Sequence, residues 1–403
     1  MTFEKILEAK KRLAPVIHRR PLDFSTTFSE LTGSKLYLKC ENLQKTGSFK
    51  VRGAYNKIAK LHSEGELKAI VASSAGNHAQ GCAYAANAMG VKATICMPKT
   101  TPIAKIVATE GYGATVELYG DYYDDSYRRA REIERTTGAV FIHPFDDEDV
   151  IAGQGTIGIE MLEDVPDLDV VIVPAGGGGL LSGVACAIKS INPKTAVIGV
   201  QAEGAPAIAM SFREKKHISL DYIHTIADGI SVKDPGNITL KLINEYVDDV
   251  MTVSDGEIAS AIIHLIERTK MIVEPSGATT LALALSGRLN LKGKKVACLL
   301  SGGNIDVSMI GKIIEQGLVT RGARSSSPSS SRTSPACWKR SPTSSRPKTP
   351  MSSRYVTTDC TPISTLARPY STSPAKWAAR STANAWRTRS WTADSKSFKE
   401  FCI

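Results

Sequence analysis

Residues 169–180 read DVVIVPAGGGGL, and this stretch decides the fold class. Its apolar, β-branched run over residues 170–173 is typical of a buried strand, and a helix-like segment continues to Ile188. Four successive glycines lie between them: Gly176, Gly177, Gly178 and Gly179. Because glycine is costly to order, such a run is expected where backbone amides approach an anion closely at a helix N-terminus. The stretch therefore predicts a strand, an anion-binding turn and a helix.

Strand-like runs of the same kind alternate with helix-like segments between residues 35 and 310. They read LYLKC, AIVAS, KATICMP, AVFIHPF, AVIGVQA and KKVACLLSGG. This alternation predicts an α/β fold built on largely parallel sheets. Ligands of such folds bind beyond the carboxyl ends of the strands, so the strand-to-helix junctions are the candidate sites.

The glycine turn narrows the class of ligand. No Gly-Lys-Ser/Thr follows Gly179, which excludes a Walker phosphate loop. A dinucleotide fingerprint fits poorly, because the glycine spacing is wrong and no acidic residue closes the next strand, residues 196–202. A small phosphorylated cofactor remains as the expected ligand.

A second junction, residues 45–54, reads KTGSFKVRGA and places Lys50 at the start of a helix. The positive end of the helix dipole lowers the pKa of a lysine there and favours the neutral amine that attacks a carbonyl group. A solvated surface lysine is the open alternative.

A third junction, residues 73–81, reads SSAGNHAQG and precedes an Ala-rich helix. Its candidate substrate-binding residues are Ser73, Ser74, Ala75, Gly76, Asn77 and His78. Amides and hydroxyls in such a turn suit a carboxylate, and the amide of Asn77 can donate to a phenolic oxygen. An ordinary capped helix start would explain the same residues. A fourth turn, SGGN at residues 301–304, can equally be structural.

Taken together, KTGSFKVRGA, SSAGNHAQG, GGGGL and SGGN resemble, in order and spacing, the threonine/serine dehydratases among the fold-type II pyridoxal 5′-phosphate (PLP) enzymes. The resemblance covers about residues 5–320. It implies two three-layer α/β lobes, similar to the tryptophan synthase β fold, with PLP in the cleft between them. The small lobe is expected over residues 41–145, and the large lobe over residues 1–40 and 146–320.

The resemblance also implies roles for single residues. Lys50 corresponds to the lysine that binds the cofactor covalently, Asn77 to the residue that contacts its 3-hydroxyl group, and Ser301 to the partner of its pyridine nitrogen. Further cofactor contacts are expected from Phe49, Glu274, Gly176, Gly177, Gly178 and Gly179. A serine hydroxyl does not hold the pyridine nitrogen protonated, which favours elimination over transamination.

The implied reaction converts L-threonine to 2-oxobutanoate and ammonia by β-elimination, and L-serine to pyruvate. The family's commonest role is to supply a precursor of isoleucine, and its members are homo-dimers or homo-tetramers. The alternatives are a serine dehydratase, a serine racemase or a ligand-binding regulatory protein of the same fold. A racemase needs a second acid, supplied by a serine where this chain has Ala75, whose methyl group cannot transfer a proton.

Several other classes of site are not expected. No metal site is predicted, because Glu203 has no acidic neighbour before Glu214. The eight cysteines form no C-x-x-C pair, so reduced core thiols are expected. There is no secretory leader and no apolar run long enough to span a membrane, which predicts a cytoplasmic protein.

Residues 321–403 differ sharply from the rest of the chain. They carry 15 Lys+Arg against 3 Asp+Glu, which accounts for the net charge of +10 and leaves residues 1–320 slightly acidic. The catalytic part is therefore not a nucleic-acid-binding protein by charge. The same 83 residues contain 19 serines and all four tryptophans without apolar periodicity, so a disordered tail is expected.

A change of reading frame is one hypothesis for this composition. With permitted codon choices and a frame one base earlier, residues 333–359 can be read as DKPGMLEALADIIAAKDANVISVCHDRL. That text resembles the start of an ACT regulatory domain, with which long dehydratases often end. The hypothesis is a single-base deletion near residues 318–324, and a genuine basic tail is its alternative.

Overall fold

The structure is a computed structural model, and it describes residues 1–65 and 67–315. The helices are α1 (Phe3–Leu13), α2 (Thr26–Thr32), α3 (Lys50–Ser63), α4 (Asn77–Ala88), α5 (Ile103–Gly111), α6 (Tyr123–Thr137), α7 (Glu148–Asp164), α8 (Gly179–Ile191), α9 (Ala207–Glu214), α10 (Asn237–Tyr246), α11 (Asp255–Thr269) and α12 (Pro275–Leu285). The strands are β1 (Leu22–Phe24), β2 (Lys35–Cys40), β3 (Ala69–Ser73), β4 (Lys92–Met97), β5 (Thr115–Leu118), β6 (Val140–Phe141), β7 (Val170–Pro174), β8 (Ala196–Ala202), β9 (Asp249–Val253) and β10 (Lys295–Leu300). Short 3₁₀ turns cover Glu41–Leu43, Lys45–Gly47 and Asp228–Ile230.

The strands form two sheets. One has six strands in the order β1-β2-β10-β7-β8-β9, and all of its pairings are parallel except β1 with β2. The other has four parallel strands in the order β5-β4-β3-β6. The predicted fold class, α/β with largely parallel sheets, is confirmed.

Both faces of each sheet are covered, which explains the continuous apolar runs. In β7, Val170 and Ile172 belong to one core cluster, whereas Val171 and Val173 belong to the cluster on the opposite face. In β3, Ile70 likewise packs on the face opposite to Val71. Because successive side chains of a strand point to opposite faces, a sheet with helices on both sides needs apolar residues at every position.

The four-stranded sheet is an insertion in the chain of the six-stranded one. All its strands lie between residues 69 and 141, after β2 and before β7. Apart from β1, the strands of each sheet are parallel, so their carboxyl ends lie at one edge, where loops lead into helices. The lobe bounds of 41 and 145 remain predictions.

The apolar runs of the sequence located most strands closely. The runs at residues 69–73, 196–202 and 295–300 match β3, β8 and β10 residue for residue. Strands β1, β5 and β9 were not predicted, and each contains exposed or half-buried positions that break the apolar run.

Two further expectations concern the cysteines and membrane-spanning helices. The five cysteines of the described residues, Cys40, Cys82, Cys96, Cys186 and Cys298, are all buried and unpaired. Within residues 1–65 and 67–315, no helix is both long and apolar enough to cross a bilayer. The hypothesis of a shifted reading frame concerns residues that lie outside the described part of the chain.

Candidate active site

Lys50 is the first residue of α3, as the sequence predicted. Its Nζ donates a hydrogen bond to the carbonyl oxygen of Pro144 at 2.8 Å and lies 5.3 Å from the centre of the Phe49 ring. The amide of Phe49 donates to the carbonyl oxygen of Ser301 at 3.0 Å. The backbone before Lys50 is therefore tied to the turn that follows β10.

The Lys50 amine is easier to deprotonate than an ordinary lysine. Although the residue as a whole is half-buried, desolvation of its amine lowers the pKa of Lys50 to about 8. The sequence argument attributed a lowered pKa to the helix dipole, whereas burial is the largest cause. No carboxylate among the described residues forms an ion pair with Lys50, so a sizeable fraction of this amine is neutral near pH 7–8.

Asn77 is the first residue of α4 and is held from two sides. Its Nδ2 donates to Glu274 Oε1 at 2.8 Å, and its Oδ1 accepts from Asn304 Nδ2 at 2.7 Å. Asn304 also donates to the carbonyl oxygen of Thr46, so the turn after β10 contacts both this helix and the segment before Lys50. Asn304 is the last residue of the SGGN turn, and no role for it was predicted from the sequence.

Glu274 lies directly before α12 and is 4% exposed. Burial raises the pKa of Glu274 to about 7, and the hydrogen bond from Asn77 opposes this shift. The neighbouring hydroxyl of Ser276 is buried and forms no hydrogen bond with any described residue. This side of the site thus holds a carboxyl group that is neutral below pH 7 and a hydroxyl group without a partner.

The glycine turn presents a row of unused amides. Among the described residues, none accepts a hydrogen bond from the backbone amides of residues 176–181. Gly178 has φ = +97°, a conformation that L-residues rarely adopt and that glycine, without a Cβ, adopts readily. These amides lie just before α8 and in its first turn, where the helix N-terminus adds a positive electrostatic potential, so this turn can bind an anion.

Contacts connect these groups to one another. The carbonyl oxygen of Pro144 accepts a hydrogen bond from Lys50. The ring of the adjacent Phe145 packs so closely on Gly177 that a Cβ added to this glycine would lie 2.4 Å from ring atom Cδ1. On the other side, Gly176 packs on Ile230, while Gly229 packs on Ser276. The glycine turn is therefore connected to Lys50 through residues 144–145 and to Glu274 through residues 229–230.

The turn before α4 contributes differently from residue to residue. The hydroxyl of Ser73 is buried and shares a 3.1 Å hydrogen bond with Ser126, and the hydroxyl of Ser74 accepts from the amide of Gly76 at 3.2 Å. Ala75 is half-buried, and a Cβ added at Gly76 would meet no atom within 4 Å. Open space thus adjoins this turn.

His78 is buried inside α4 rather than exposed in the turn. Its Nε2 lies 2.9 Å from the carbonyl oxygen of Ile142, and burial lowers its pKa to about 3. A neutral imidazole that hydrogen-bonds a strand-end carbonyl fixes the position of the helix.

Sequence reasoning missed the residues that connect the predicted groups. Pro144 and Phe145 belong to the HPF segment after β6. In the sequence this segment is only the end of a strand-like run. Ile230 lies in a 3₁₀ turn without a motif. Apart from the aromatic residue next to a proline, the sequence gives no signal for these contacts, because they depend on which loops meet in three dimensions.

The arrangement has the chemistry of a carbonyl-bearing anion site. It combines a readily deprotonated amine, a neutral amide donor, buried hydroxyl groups and a turn of free amides beside a helix N-terminus. Among the described residues, no group of three or more His, Cys, Asp or Glu side chains could hold a metal ion.

Comparison with known proteins agrees with this chemistry. The model of the pyridoxal-phosphate dependent enzyme family matches residues 13–302. An L-threonine ammonia-lyase of Thermotoga maritima is 52% identical over 324 residues, which are 80% of this chain and 80% of that protein.

Two solved structures share the fold. The processed form of threonine deaminase isoform 2 from Solanum lycopersicum is 36% identical, with a TM-score of 0.76 over 79% of this chain and 88% of that one. Maize serine racemase is 38% identical, with a TM-score of 0.74 over 80% of this chain and 99% of that one.

The residues present fit the cofactor of this family. The free amides of the glycine turn suit its phosphate, and the Lys50 amine suits its aldehyde. The buried Ser276 hydroxyl has no hydrogen-bond partner within the described residues and can therefore bond to a polar atom of a ligand. With family model, relatives and geometry in agreement, the chain belongs to the pyridoxal-phosphate-dependent enzymes.

Proposed function

We propose that this protein is a threonine ammonia-lyase that converts L-threonine to 2-oxobutanoate and ammonia. The observation that carries the proposal is the Lys50 amine, which has a pKa of about 8 and forms no ion pair with a carboxylate. Contacts through residues 144–145 connect this amine to the glycine turn, whose amides are free. The 52% identity to the Thermotoga maritima L-threonine ammonia-lyase supports the same reaction.

Each cofactor contact has a residue suited to it. We assign the phosphate to the amides of residues 176–179, the covalent link to Lys50 beside Phe49, the ring hydroxyl to Asn77 and the pyridine nitrogen to Ser301. Glu274 is assigned to the edge of the ring. When bound, the cofactor withdraws electrons from the substrate's Cα and so makes its proton acidic.

The protein's own groups then carry the proton chemistry. The Lys50 amine, once free, accepts the Cα proton, because its pKa near 8 lets it act as a base close to neutral pH. The β-hydroxyl group takes up a proton, equivalent to the one removed from Cα, and leaves as water. The resulting enamine tautomerises to an imine, and addition of water to this imine with loss of ammonia gives 2-oxobutanoate. Ser301 is 2% exposed, so its hydroxyl is sheltered from bulk water.

The turn of residues 73–78 is proposed to bind the substrate carboxylate. Its free space at Gly76 and the start of α4 suit a small anion, whereas the hydroxyl of Ser73 is already used by Ser126. One methyl group in a pocket contributes about 1–3 kcal/mol of discrimination, so L-serine is expected to react as well and to give pyruvate.

Serine racemase is the second candidate, and the similarity to the maize enzyme favours considering it. Racemisation needs a proton donor on the face of the substrate opposite the lysine. The position that would supply it here is Ala75, whose methyl group cannot exchange a proton. Elimination without racemisation is therefore the proposed outcome.

Further proposals concern the setting of the enzyme. We propose a small lobe over residues 41–145 within a large lobe of residues 1–40 and 146–320, supported by the placement of β3 to β6. We also propose a cytoplasmic homo-oligomer with a role in amino-acid metabolism such as isoleucine supply. The unpaired buried cysteines are compatible with a reducing compartment.

A product assay tests the reaction. The purified protein should show the visible absorption band of bound PLP and release 2-oxobutanoate and ammonia in equal amounts from L-threonine, and pyruvate from L-serine. Formation of D-serine at a rate similar to that of pyruvate would favour the racemase, and a protein without bound cofactor or oxo-acid release would refute the proposal.

A further inference from the structure

The N-termini of α8 and α10 lie next to each other at the glycine turn, and they differ in whether their backbone amides have hydrogen-bond acceptors. At the start of α8 the amides are free, whereas the first three amides of α10 are all taken by one carboxylate. Asp146 Oδ2 accepts from Asn237, and its Oδ1 accepts from Ile238 and Thr239, at 3.1, 2.9 and 3.1 Å. The N-terminus of α10 is therefore satisfied within the protein and is not available to a ligand.

Asp146 joins the two sheets. It follows β6 of the four-stranded sheet, and α10 lies between β8 and β9 of the six-stranded sheet. Its own amide donates to His143 Nδ1 at 2.8 Å, which folds residues 143–146 into a tight turn. This turn contains Pro144, the acceptor of the Lys50 amine, and Phe145, which packs on the glycine turn.

Thr239 carries the constraint from α10 to the glycine turn. Its buried Oγ1 donates to the carbonyl oxygen of Gly177 at 2.7 Å. The peptide group is planar and trans, so the carbonyl of Gly177 and the amide of Gly178 point in opposite directions. Because Thr239 holds that carbonyl toward α10, it also holds the amide of Gly178 away from α10 and free of α10 acceptors.

Packing leaves the turn little freedom. A Cβ at Gly178 would lie 2.8 Å from the Cβ of Thr239, and one at Gly179 would lie 2.9 Å from the carbonyl oxygen of Phe145. A Cβ at Gly236, just before α10, would lie 2.3 Å from Asp146 Oδ1. The glycines are therefore needed for close contact with residues 145–146 and with α10.

We propose that Asp146 and Thr239 are positioning residues for the phosphate of the cofactor: they hold the glycine turn in the conformation that keeps its amides free. The inference rests on the proposed assignment of residues 176–179 to that phosphate. Neither side chain is required to touch the cofactor. Their loss should therefore weaken the binding of the phosphate group in particular.

Comparison of PLP with pyridoxal, which lacks the phosphate, isolates this effect. The holoenzyme is stripped of cofactor and titrated with each compound, and binding is followed by visible absorption. Thr239→Val should weaken PLP binding about tenfold, the scale for loss of one buried hydrogen bond, and leave pyridoxal binding at the wild-type value. Asp146→Ala, which removes the acceptor of three amides, should act in the same direction.

Two matched variants separate positioning from general stability. Thr239→Ser keeps the hydroxyl and should keep wild-type affinity for PLP. Thr195→Val removes an equally buried hydroxyl that donates to a backbone carbonyl at 2.7 Å, but Thr195 precedes β8 at the end of the sheet remote from the glycine turn. It should leave the ratio of PLP to pyridoxal affinity unchanged.

The outcomes distinguish the inference from the function on which it rests. Equal weakening of PLP and pyridoxal in Thr239→Val and Asp146→Ala, or no weakening of either, would overturn the positioning role. If Thr239→Val does not fold, Asp146→Asn, which keeps an acceptor oxygen but removes the charge, replaces it in the same assay. The positioning role requires this variant to weaken the binding of PLP more than the binding of pyridoxal. A wild-type protein that binds PLP no more tightly than pyridoxal would instead overturn the assignment of the glycine turn to the phosphate.

Discussion

Lys50 and Arg52 are two residues apart in the first turn of α3, yet their cationic groups have opposite surroundings. The Lys50 amine donates one hydrogen bond, to a backbone carbonyl, and has a lowered pKa. Arg52 is completely buried, and Glu41 and Glu160 each accept from it twice. Lys50 has no direct ion pair among the described residues, whereas Arg52 is paired with two carboxylates.

The Arg52 cluster uses its hydrogen-bonding capacity completely. A guanidinium group has five N–H donors, and here four meet carboxylate oxygens while the fifth meets Thr156 Oγ1 at 3.1 Å. Glu160 also accepts from the buried Lys39 at 2.7 Å, so two cations and two carboxylates balance. The cluster joins β2, the turn of residues 41–43, α3 and α7.

The difference shows how a reactive amine can be held in place. A buried ion network adds little net stability compared with apolar packing, but breaking it is costly, so it specifies one arrangement of the elements it joins. Placed two residues from Lys50, it can fix the backbone without supplying a charge that would keep the lysine protonated.

The largest effect is expected from Lys50→Ala. Turnover of L-threonine should fall by about 10³-fold or more, because the variant loses both the covalent cofactor link and the proposed base. With the cofactor removed from both proteins, its free energy of unfolding should stay within about 1 kcal/mol of wild type, because the change removes one hydrogen bond to a backbone carbonyl and no ion pair. Activity within tenfold of wild type would remove Lys50 from the mechanism.

Arg52→Met should have the opposite profile. It leaves Glu41 and Glu160 buried with fewer donors, which is expected to lower the free energy of unfolding by about 3–5 kcal/mol in urea titration. Arg128→Met is the control, because that side chain is 77% exposed and its ion pair with Asp125 is worth less than about 1 kcal/mol. Equal losses in the two variants would contradict the role assigned to the buried cluster.

Glu274→Gln should change the pH dependence of stability. The folded-state pKa of Glu274 is raised to about 7, so between pH 4.5 and 7 the unfolded chain ionises this group while the folded protein keeps it protonated. The wild type should therefore lose up to about 3 kcal/mol of stability relative to the variant as pH rises through this window, and no more above it. If the difference in free energy of unfolding between the wild type and the variant is the same at pH 5 and pH 8, the carboxyl group is not desolvated in the folded protein.

The smallest effect concerns His78, which should remain neutral throughout the physiological range. Its pKa is lowered to about 3, so its ring resonances should not titrate between pH 5 and 9 in NMR spectra, whereas an ordinary histidine titrates near pH 6.5. Because the folded-state pKa is lowered, this group reduces stability only as pH falls below about 6.5. A titration step near pH 6.5 would show that His78 is accessible to water.

The same contrast shows which parts of the site were accessible from sequence. Lys50, Asn77 and the four glycines stand at strand-to-helix junctions, where local sequence patterns report both the element and its end. Arg52 stands in the same motif, but nothing in the sequence identifies Glu160 as its partner, 108 residues away. Long-range ion pairs leave no local pattern, so they could not be predicted.

The sequence by itself determined the α/β class, the positions of β3, β8 and β10, and the helix starts at Lys50 and Asn77, because these depend on apolar periodicity and on residues close in the chain. Only the tertiary structure decided that burial lowers the pKa of Lys50, and that Asp146 satisfies the N-terminus of α10 while the amides at the start of α8 stay free. Desolvation and hydrogen bonding between distant loops depend on which surfaces meet, and that is a property of the folded chain as a whole.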